Sequence, residues 1–177
     1  MVTKHARYAK RGVKNKVNGS AFDQVERLLK DAAVTYQIHS HIPVSTIDDA
    51  RQKVPHLTHN LLKTVVFQIK NNGWILAAVD SLARIHYKHL ADAVGVNRTD
   101  LRSVPADLIQ EVTGFELGGV GPFPIRDDLQ VVIDENLRGV ENVYCGSGRC
   151  DRTVEIALQD LIELGHATVY SISKSEE

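Results

Sequence analysis

The chain has 177 residues, of which 43% are hydrophobic, and its formal net charge at pH 7 is -1. This length fits one domain, and the share of apolar side chains is enough for a core, which excludes a disordered or fibrous protein. The near-zero charge excludes a general preference for nucleic acid, so any attraction to RNA must come from local patches.

The start of the chain differs from the rest in being basic. Residues 1–19 contain no acidic residue, and their positive charges lie at Lys4, Arg7, Lys10, Arg11, Lys14 and Lys16. Such a segment is typical of a solvated, flexible tail, and the alternative is an arm that binds phosphates weakly. It lacks the apolar stretch of a secretory signal, and no segment has the apolar length of a membrane span. The sequence therefore predicts a basic arm over 1–19, a domain over 20–177 and a cytoplasmic location.

The domain is predicted to open with a helix. Ser20 and Asp23 have nearly the spacing of a capping box, and apolar residues follow at helical intervals. Residues 34–39 then alternate between apolar and polar, which predicts a strand. Ser45 or Thr46 is placed to cap a short helix.

A hairpin and two helices are expected next. Strand patterns at 63–69 and 74–79 are joined by Asn-Asn-Gly at 71–73, and these residues tolerate the positive φ of tight turns. Helices are predicted over 85–94 and 105–113, because each of these segments is followed by a glycine. The second helix begins with a proline, which suits a first helical turn.

The last third of the chain begins with a segment that cannot be regular structure. Residues 118–124 read Gly-Gly-Val-Gly-Pro-Phe-Pro, which excludes a helix or an ordinary strand. Beyond it the patterns predict strands at 130–134, 142–145 and 153–156, a helix at 158–164 and a last strand at 168–171. Hairpins interspersed with helices predict an α+β domain with a mixed or mainly antiparallel sheet.

Lys63 is the first candidate for chemistry, because it begins an otherwise apolar run. It is interpreted either as a strand-end lysine whose ammonium reaches water along its stem, or as a cation that points into a cleft. In the second case it would hold a phosphate or a carbonyl oxygen. The residue alone does not decide between the two.

The loop at 118–124 is the second candidate. Its glycines leave the backbone bare and its prolines stiffen it, so its N–H groups could bind a developing oxyanion or a phosphate. The alternative is a tight connection without a chemical role. The loop lacks the spacing of a Walker loop or of a dinucleotide-binding motif.

A metal site is the third possibility, and the pattern does not favour it. Cys145 and Cys150 have no second cysteine pair at a suitable spacing, and they form no disulfide framework for a chain of this size. The histidines occur in pairs without acidic or cysteine partners: His39 with His41, His56 with His59, and His86 with His89. The pattern of cysteines and histidines therefore does not favour a metal site.

Several segments in a fixed order resemble one family. They are LKTVV at 62–66, DAVG at 92–95, EVTGF at 111–115, GGVGPF at 118–123, GSGR at 146–149 and TVEIALQDL at 153–161. Over residues 20–171 the chain resembles the YbaK/prolyl-tRNA-synthetase-associated domain family of aminoacyl-tRNA deacylases. The basic arm and the two cysteines are not features of the family core.

The resemblance implies a fold and a set of site residues. The fold is a single α+β domain with a mixed, largely antiparallel, partly barrel-like sheet flanked by helices. Lys63 matches the family's active-site lysine, and the loop matches its Gly-x-x-x-Pro motif. The residues expected to act in catalysis are Lys63, Gly118, Gly119, Val120, Gly121 and Pro122, and those expected to bind substrate are Thr64, Phe67, Ser147, Gly148 and Arg149.

The resemblance also implies a reaction. The chain is expected to hydrolyse, in trans and without cofactor, the ester that joins a wrong amino acid to tRNA, with Cys-tRNA(Pro) or Ala-tRNA(Pro) as model substrates. A cysteinyl substrate would attack with its own thiol, which gives lyase-type chemistry. Aminoacyl-tRNA is the expected partner and prolyl-tRNA synthetase a candidate one, and neither membrane nor DNA is expected.

Two alternatives to this reaction stay open. The first is a non-catalytic RNA- or nucleotide-binding module that associates with a synthetase. The second is a metal-dependent hydrolase that uses the histidines. No serine, cysteine or histidine is placed as a protein nucleophile by the sequence, so water, the ribose 2′-hydroxyl or the substrate's side chain is expected to take that role.

Overall fold

The computed structural model of the chain describes residues 19–174, so nearly all of the basic arm predicted over 1–19 lies outside the described residues. The helices are α1 (Ala21–Asp31), α2 (Ile47–Lys53), α3 (Tyr87–Val94), α4 (Ile109–Thr113) and α5 (Leu158–Leu164). The strands are β1 (Tyr36–Ser40), β2 (Leu62–Ile69), β3 (Trp74–Asp80), β4 (Leu101–Ser103), β5 (Leu129–Asp134), β6 (Asn142–Gly146), β7 (Arg152–Ala157) and β8 (Thr168–Tyr170).

The strands form two sheets that meet at one edge. The larger sheet has the order β4-β2-β3-β5-β8, in which β2 is antiparallel to β3 and β4 while β5 is parallel to β3 and β8. The smaller sheet, β1-β7-β6, is antiparallel throughout. A single bridge between Leu61 and Tyr144 connects β6 to the start of β2. The predicted α+β fold with a mixed sheet is confirmed, although the strands of residues 19–174 do not close into a barrel.

The central strand β3 separates two apolar layers. Its side chains alternate, so that Leu76 and Ala78 join the core shared with the smaller sheet, while Ile75, Ala77 and Val79 join the core under α3. A strand buried on both faces carries a continuous apolar run, as this one does. The start of β2 and the two sheets are thereby held as one rigid frame.

The capping residues in the sequence predicted the majority of the helix ends correctly. Ser20 and Asp23 form both hydrogen bonds of a capping box, and Thr46 caps α2 by accepting the N–H of Asp49 at 3.0 Å. Gly95 and Gly114 follow their helices in the left-handed conformation. The predicted helix start at Pro105 is wrong, because Pro105 is extended and a 3-10 turn precedes α4.

The strand β4 is missing from the prediction. It has three residues, of which Arg102 and Ser103 are exposed, and such a short edge strand shows no alternation that a pattern could reveal. Its residues pair with the end of β2, from Phe67 to Ile69. The larger sheet therefore has one strand more than the sequence indicates.

Candidate functional site

A cleft of about 300 Å³ opens between α2, the start of β2 and the glycine-rich loop. Its apolar walls come from several separate segments and include Ala50, Val54, Leu57, Leu62, Val66, Val104 and Ile109. Its polar lining residues are few, namely Ser45, Thr46, Lys63, Thr64 and Thr153, together with the glycines Gly118 and Gly146. A concave apolar site with few polar groups is typical of a small-molecule or side-chain binding pocket.

Lys63 is among the residues that line this cleft, and it is the second residue of β2, opposite Val79 of β3, whose side chain belongs to the core under α3. Its Nζ donates a hydrogen bond to the carbonyl oxygen of Ala83. Partial burial lowers the pKa of the Lys63 ammonium from its ordinary value; the nearby carboxylate of Asp80 opposes this shift and Arg84 adds to it. The cation is thus held in place by a backbone carbonyl, and no carboxylate within residues 19–174 forms an ion pair with it, which leaves its charge available to an anionic ligand.

The loop that carries Ala83 is held by hydrogen bonds to residues 172 and 174, near the C-terminal end of the part that the structure describes. His86 N–H donates to Ile172 O and Lys174 N–H donates to Arg84 O, both at 2.7 Å. The buried carboxylate of Asp134 in turn accepts the N–H of Ile172 at 3.0 Å. This chain of hydrogen bonds connects β5 to the carbonyl that orients Lys63.

We expect the replacement of Asp134 by alanine to lower the free energy of unfolding by about 2 kcal/mol, because it leaves buried N–H groups of residues 172 and 173 without an acceptor. Urea unfolding followed by circular dichroism measures this loss. Asp134→Asn keeps an acceptor oxygen and is the matched control, for which a smaller loss is expected. Equal stability of Asp134→Ala and the parent protein would contradict the prediction.

The glycine-rich loop, defined here as Gly118–Pro122, is wedged between two other segments. Gly118 has φ +84, and a Cβ there would overlap the carbonyl oxygen of Val44 in the segment before α2. A Cβ at Gly121 would overlap the carbonyl oxygen of Gly146 at the end of β6. Glycine is required at both positions because the backbones are in direct contact. The loop is therefore preorganised and cannot shift without moving its neighbours.

The N–H groups of this loop are not equivalent. Gly119 N–H donates to Glu116 O at 2.9 Å, so it is committed within the turn. Gly118 and Val120 line the cleft, and no acceptor within residues 19–174 takes their N–H groups. Of the predicted catalytic loop residues, these two are therefore the ones whose backbone donors are available to a ligand.

The segment Ser147–Gly148–Arg149, predicted to bind substrate, supports the glycine-rich loop from behind. Gly148 N–H donates to Gly119 O at 2.7 Å, and the hydroxyl of Ser147 donates to Arg152 O at 2.7 Å. The guanidinium of Arg149 forms a bidentate pair with Asp151, at 2.8 and 2.9 Å, which lowers the pKa of the Asp151 carboxyl. Direct contact of these side chains with substrate stays a prediction.

The two remaining predicted substrate residues, Thr64 and Phe67, lie on β2 at different places. Thr64 lines the cleft, and its buried hydroxyl has no hydrogen-bond partner among the described residues. Phe67 is fully buried in the core under α3, where its ring meets that of Tyr87 edge-to-face at 5.1 Å. The cleft thus brings together Lys63, Thr64 and the glycine-rich loop, while Phe67 lies apart from them.

Sequence reasoning did not assign Thr153 or Cys145 to the substrate site, although both line the cleft. They lie on β7 and β6, beside the segments 146–149 and 153–161 that carry the resemblance, and Cys145 was considered there only as a metal ligand. Cys145 is fully buried, and burial raises the pKa of its thiol far above the ordinary value, so the thiol stays protonated. Within residues 19–174 no three His, Cys, Asp or Glu side chains are grouped as a metal site would require.

None of the helices within 19–174 has both the length and the apolar character that crossing a membrane requires.

Comparison with known proteins places this cleft in a family context. Residues 41–164 match the model of the aminoacyl-tRNA editing domain. The chain is 21% identical over 108 residues to the proline--tRNA ligase of Thermoanaerobacter sp. (strain X514), covering 61% of this chain and 19% of the ligase. It is 24% identical over 126 residues to YwhH of Bacillus subtilis (strain 168), an uncharacterized protein, covering 71% of this chain and 78% of YwhH. The chain thus spans about a fifth of the ligases that it matches.

Solved structures share the fold. The hypothetical protein APE2540 superposes with a TM-score of 0.75 at 23% identity, covering 85% of this chain and 99% of that one. A protein whose proposed role is that of a trans-editing enzyme for prolyl tRNA synthetase superposes with a TM-score of 0.70 at 23% identity, covering 89% and 99%. The editing-domain match extends from His41 to the end of α5 and contains every residue that lines the cleft. The chain therefore belongs to the aminoacyl-tRNA editing domain family.

Proposed function

We propose that this chain is an aminoacyl-tRNA deacylase that acts in trans and hydrolyses the ester of mischarged tRNA. The observation that carries the proposal is the meeting of Lys63 and the glycine-rich loop at one cleft in a chain of the editing-domain family. A cation beside free backbone donors fits an ester whose carbonyl oxygen gains negative charge next to a phosphate-bearing nucleotide. The relatives among prolyl-tRNA ligases make tRNA(Pro) the first candidate tRNA, with prolyl-tRNA synthetase as a candidate partner.

In the proposed mechanism, Lys63 binds the phosphate or ribose of the tRNA end and places the ester against the loop. The free N–H groups of Gly118 and Val120 bind the carbonyl oxygen as it becomes an oxyanion, and one such donor typically contributes about 3 kcal/mol to the transition state. Water attacks the ester carbon, the bond from that carbon to the ribose oxygen breaks, and the ribose oxygen takes the proton. Attack by the ribose 2′-hydroxyl moves the acyl group to the other ribose oxygen, and water then completes the hydrolysis. With a cysteinyl substrate, the substrate's thiol attacks the ester carbon, the ribose oxygen leaves with the thiol proton, and the cyclic thioester is opened by water, which is the lyase-type route.

The cleft favours an uncharged amino-acid side chain. Its volume is about 300 Å³ and its inner wall is formed by aliphatic residues, with the unpartnered hydroxyl of Thr64 as a polar exception. A charged side chain placed against this aliphatic wall would lose its hydration without gaining an opposite charge. Alanyl and cysteinyl esters, as in Ala-tRNA(Pro) and Cys-tRNA(Pro), satisfy these conditions.

A panel of mischarged tRNAs tests the proposal directly. Each tRNA, charged with a labelled small, large or charged amino acid, is incubated with the protein, and release of the label is measured. Release from the alanyl or cysteinyl members supports a deacylase. Binding without release from any member would contradict it and would favour the non-catalytic RNA-binding module.

The basic arm makes a separate prediction. If residues 1–19 contact tRNA phosphates, deleting them should weaken tRNA binding and reduce the dependence of log Kd on log salt by about one unit for each lost contact. Filter binding at several salt concentrations measures the slope. An unchanged slope would leave the arm without a role in tRNA binding.

A further inference from the structure

His41 places a hydrogen-bond acceptor next to the cleft. It follows β1 directly, and its N–H donates to Asp151 O at 3.0 Å. Its Nδ1 lies 2.7 Å from the carbonyl oxygen of Ile42, and its Nε2 lies 2.8 Å from the hydroxyl of Thr153. A carbonyl oxygen only accepts hydrogen bonds, so Nδ1 carries the proton, and Nε2 of the neutral ring is an acceptor.

The hydroxyl proton of Thr153 is therefore used in the hydrogen bond to His41. Thr153 lies on β7 opposite Gly146, it is 9% exposed, and it lines the cleft. Because its O–H donates to His41, its oxygen can only accept further hydrogen bonds. The Thr153 hydroxyl donates to the imidazole ring of His41, and this ring donates to the carbonyl oxygen of Ile42. The carbonyl oxygen thereby fixes the tautomer of the ring.

The other side chains of the cleft include no anionic acceptor. The lining residues include no aspartate or glutamate, and their one charged side chain is the cation Lys63. Thr46 already accepts the N–H of Asp49, and the hydroxyl of Thr64 is free to donate or accept. Every aminoacyl ester, however, carries an α-amino group, which is a donor that needs an acceptor when it leaves water.

We propose that the Thr153 hydroxyl, held as an acceptor by His41, receives the α-ammonium group of the aminoacyl ester. Thr153 contacts the substrate, and His41 is a positioning residue that acts through it. This inference rests on the proposed function, because it takes the ligand of the cleft to be an aminoacyl-tRNA end. It assigns the recognition of the α-amino group to β7, separately from Lys63 and the glycine-rich loop.

A pair of stable ligands tests the proposal without relying on turnover. A tRNA that ends in 3′-amino-3′-deoxyadenosine is joined by an amide either to alanine or to propionic acid, so that the two ligands differ only in the α-amino group. We expect the parent protein to bind the alanyl ligand about 10-fold more tightly than the propionyl ligand. In Thr153→Val this preference should disappear through weaker binding of the alanyl ligand alone, and Thr153→Ser should restore it.

The role of His41 has its own readout. In a long-range proton–nitrogen NMR spectrum at a pH where imidazole is neutral, the ring should be the Nδ1–H tautomer. His41→Ala should reduce the preference for the alanyl ligand, since the Thr153 proton is then free to point into the cleft.

The outcomes separate this inference from the proposed function. Equal binding of the two ligands by the parent protein, or an equal loss of both in Thr153→Val, would overturn the inference even if the tRNA panel is deacylated. The Nε2–H tautomer would also overturn it. A preference for the alanyl ligand without deacylation of any tRNA would support the inference and overturn the proposed function.

Discussion

Replacing Lys63 by alanine is expected to lower the rate of tRNA deacylation by about two orders of magnitude and to leave the domain folded. Lys63 carries the one charged side chain among the residues that line the cleft, and it forms no ion pair with a carboxylate of residues 19–174 on which folding could depend. Removing one preorganised electrostatic group from a transition state typically costs about 100-fold or more in rate. The side chain is only partly buried, so its loss leaves no large cavity.

The comparison that isolates this effect uses a second lysine, which follows the same strand. Lys70 follows the other end of β2 and is exposed, so Lys70→Ala changes the net charge equally but should keep full activity. Rates are measured under single-turnover conditions with the best member of the tRNA panel, and urea unfolding shows whether both variants keep the parent stability. Equal rates for Lys63→Ala and the parent protein would remove Lys63 from the mechanism and return it to the strand-end interpretation.

Lys63→Arg tests whether the positive charge alone is sufficient or whether its position also matters. Arginine keeps the positive charge but is longer and planar, and the Ala83 carbonyl oxygen that orients Lys63 is close to the start of β2. We expect partial activity, between that of the parent protein and that of Lys63→Ala. This order of rates would indicate that both the charge and its position contribute.

The fold could be predicted where local chemistry determines it. The capping box of Ser20, the Thr46 cap and the glycines that end α3 and α4 each satisfy specific backbone groups, so their positions follow from the sequence. The order of strands in the sheets does not follow in this way. The parallel pairing of β3 with β5, and the bridge from Leu61 to Tyr144, connect residues that are distant in the chain and depend on packing alone.

The site could also be predicted only in part, because some of its residues are recognisable from the local sequence and others come together through long-range contacts. Lys63 and the glycine-rich loop are unusual in composition, and the family resemblance placed them together. Thr153 has an ordinary strand environment in the sequence, and its proposed role depends on the approach of His41 from the end of a different strand. Ser147 and Arg149 lie in a conspicuous turn, yet their side chains are bound to Arg152 and Asp151. Composition identifies bare or charged segments, but side-chain direction is decided by tertiary contacts.

The second large effect is expected at the glycine-rich loop. Gly121→Ala should abolish deacylation and lower the free energy of unfolding by about 3 kcal/mol, because its Cβ would overlap the carbonyl oxygen of Gly146 at the end of β6. Gly118→Ala should be at least as damaging, since φ there is +84 and its Cβ would overlap the Val44 carbonyl oxygen. In both variants the loop must move away from the cleft, and its N–H groups lose their positions.

Gly139→Ala is a control that separates the cost of a left-handed backbone conformation from the cost of a steric overlap. Gly139 has φ +93, but nothing lies within 4 Å of its Cβ position, so the variant should lose only about 1 kcal/mol from the left-handed conformation and keep its activity. Urea unfolding and the single-turnover assay are applied to all three variants. If Gly121→Ala were as stable and active as Gly139→Ala, the contact between the loop and β6 would be dispensable. The oxyanion donors would then have to be sought outside this loop, because a loop that can yield to a methyl group is not preorganised.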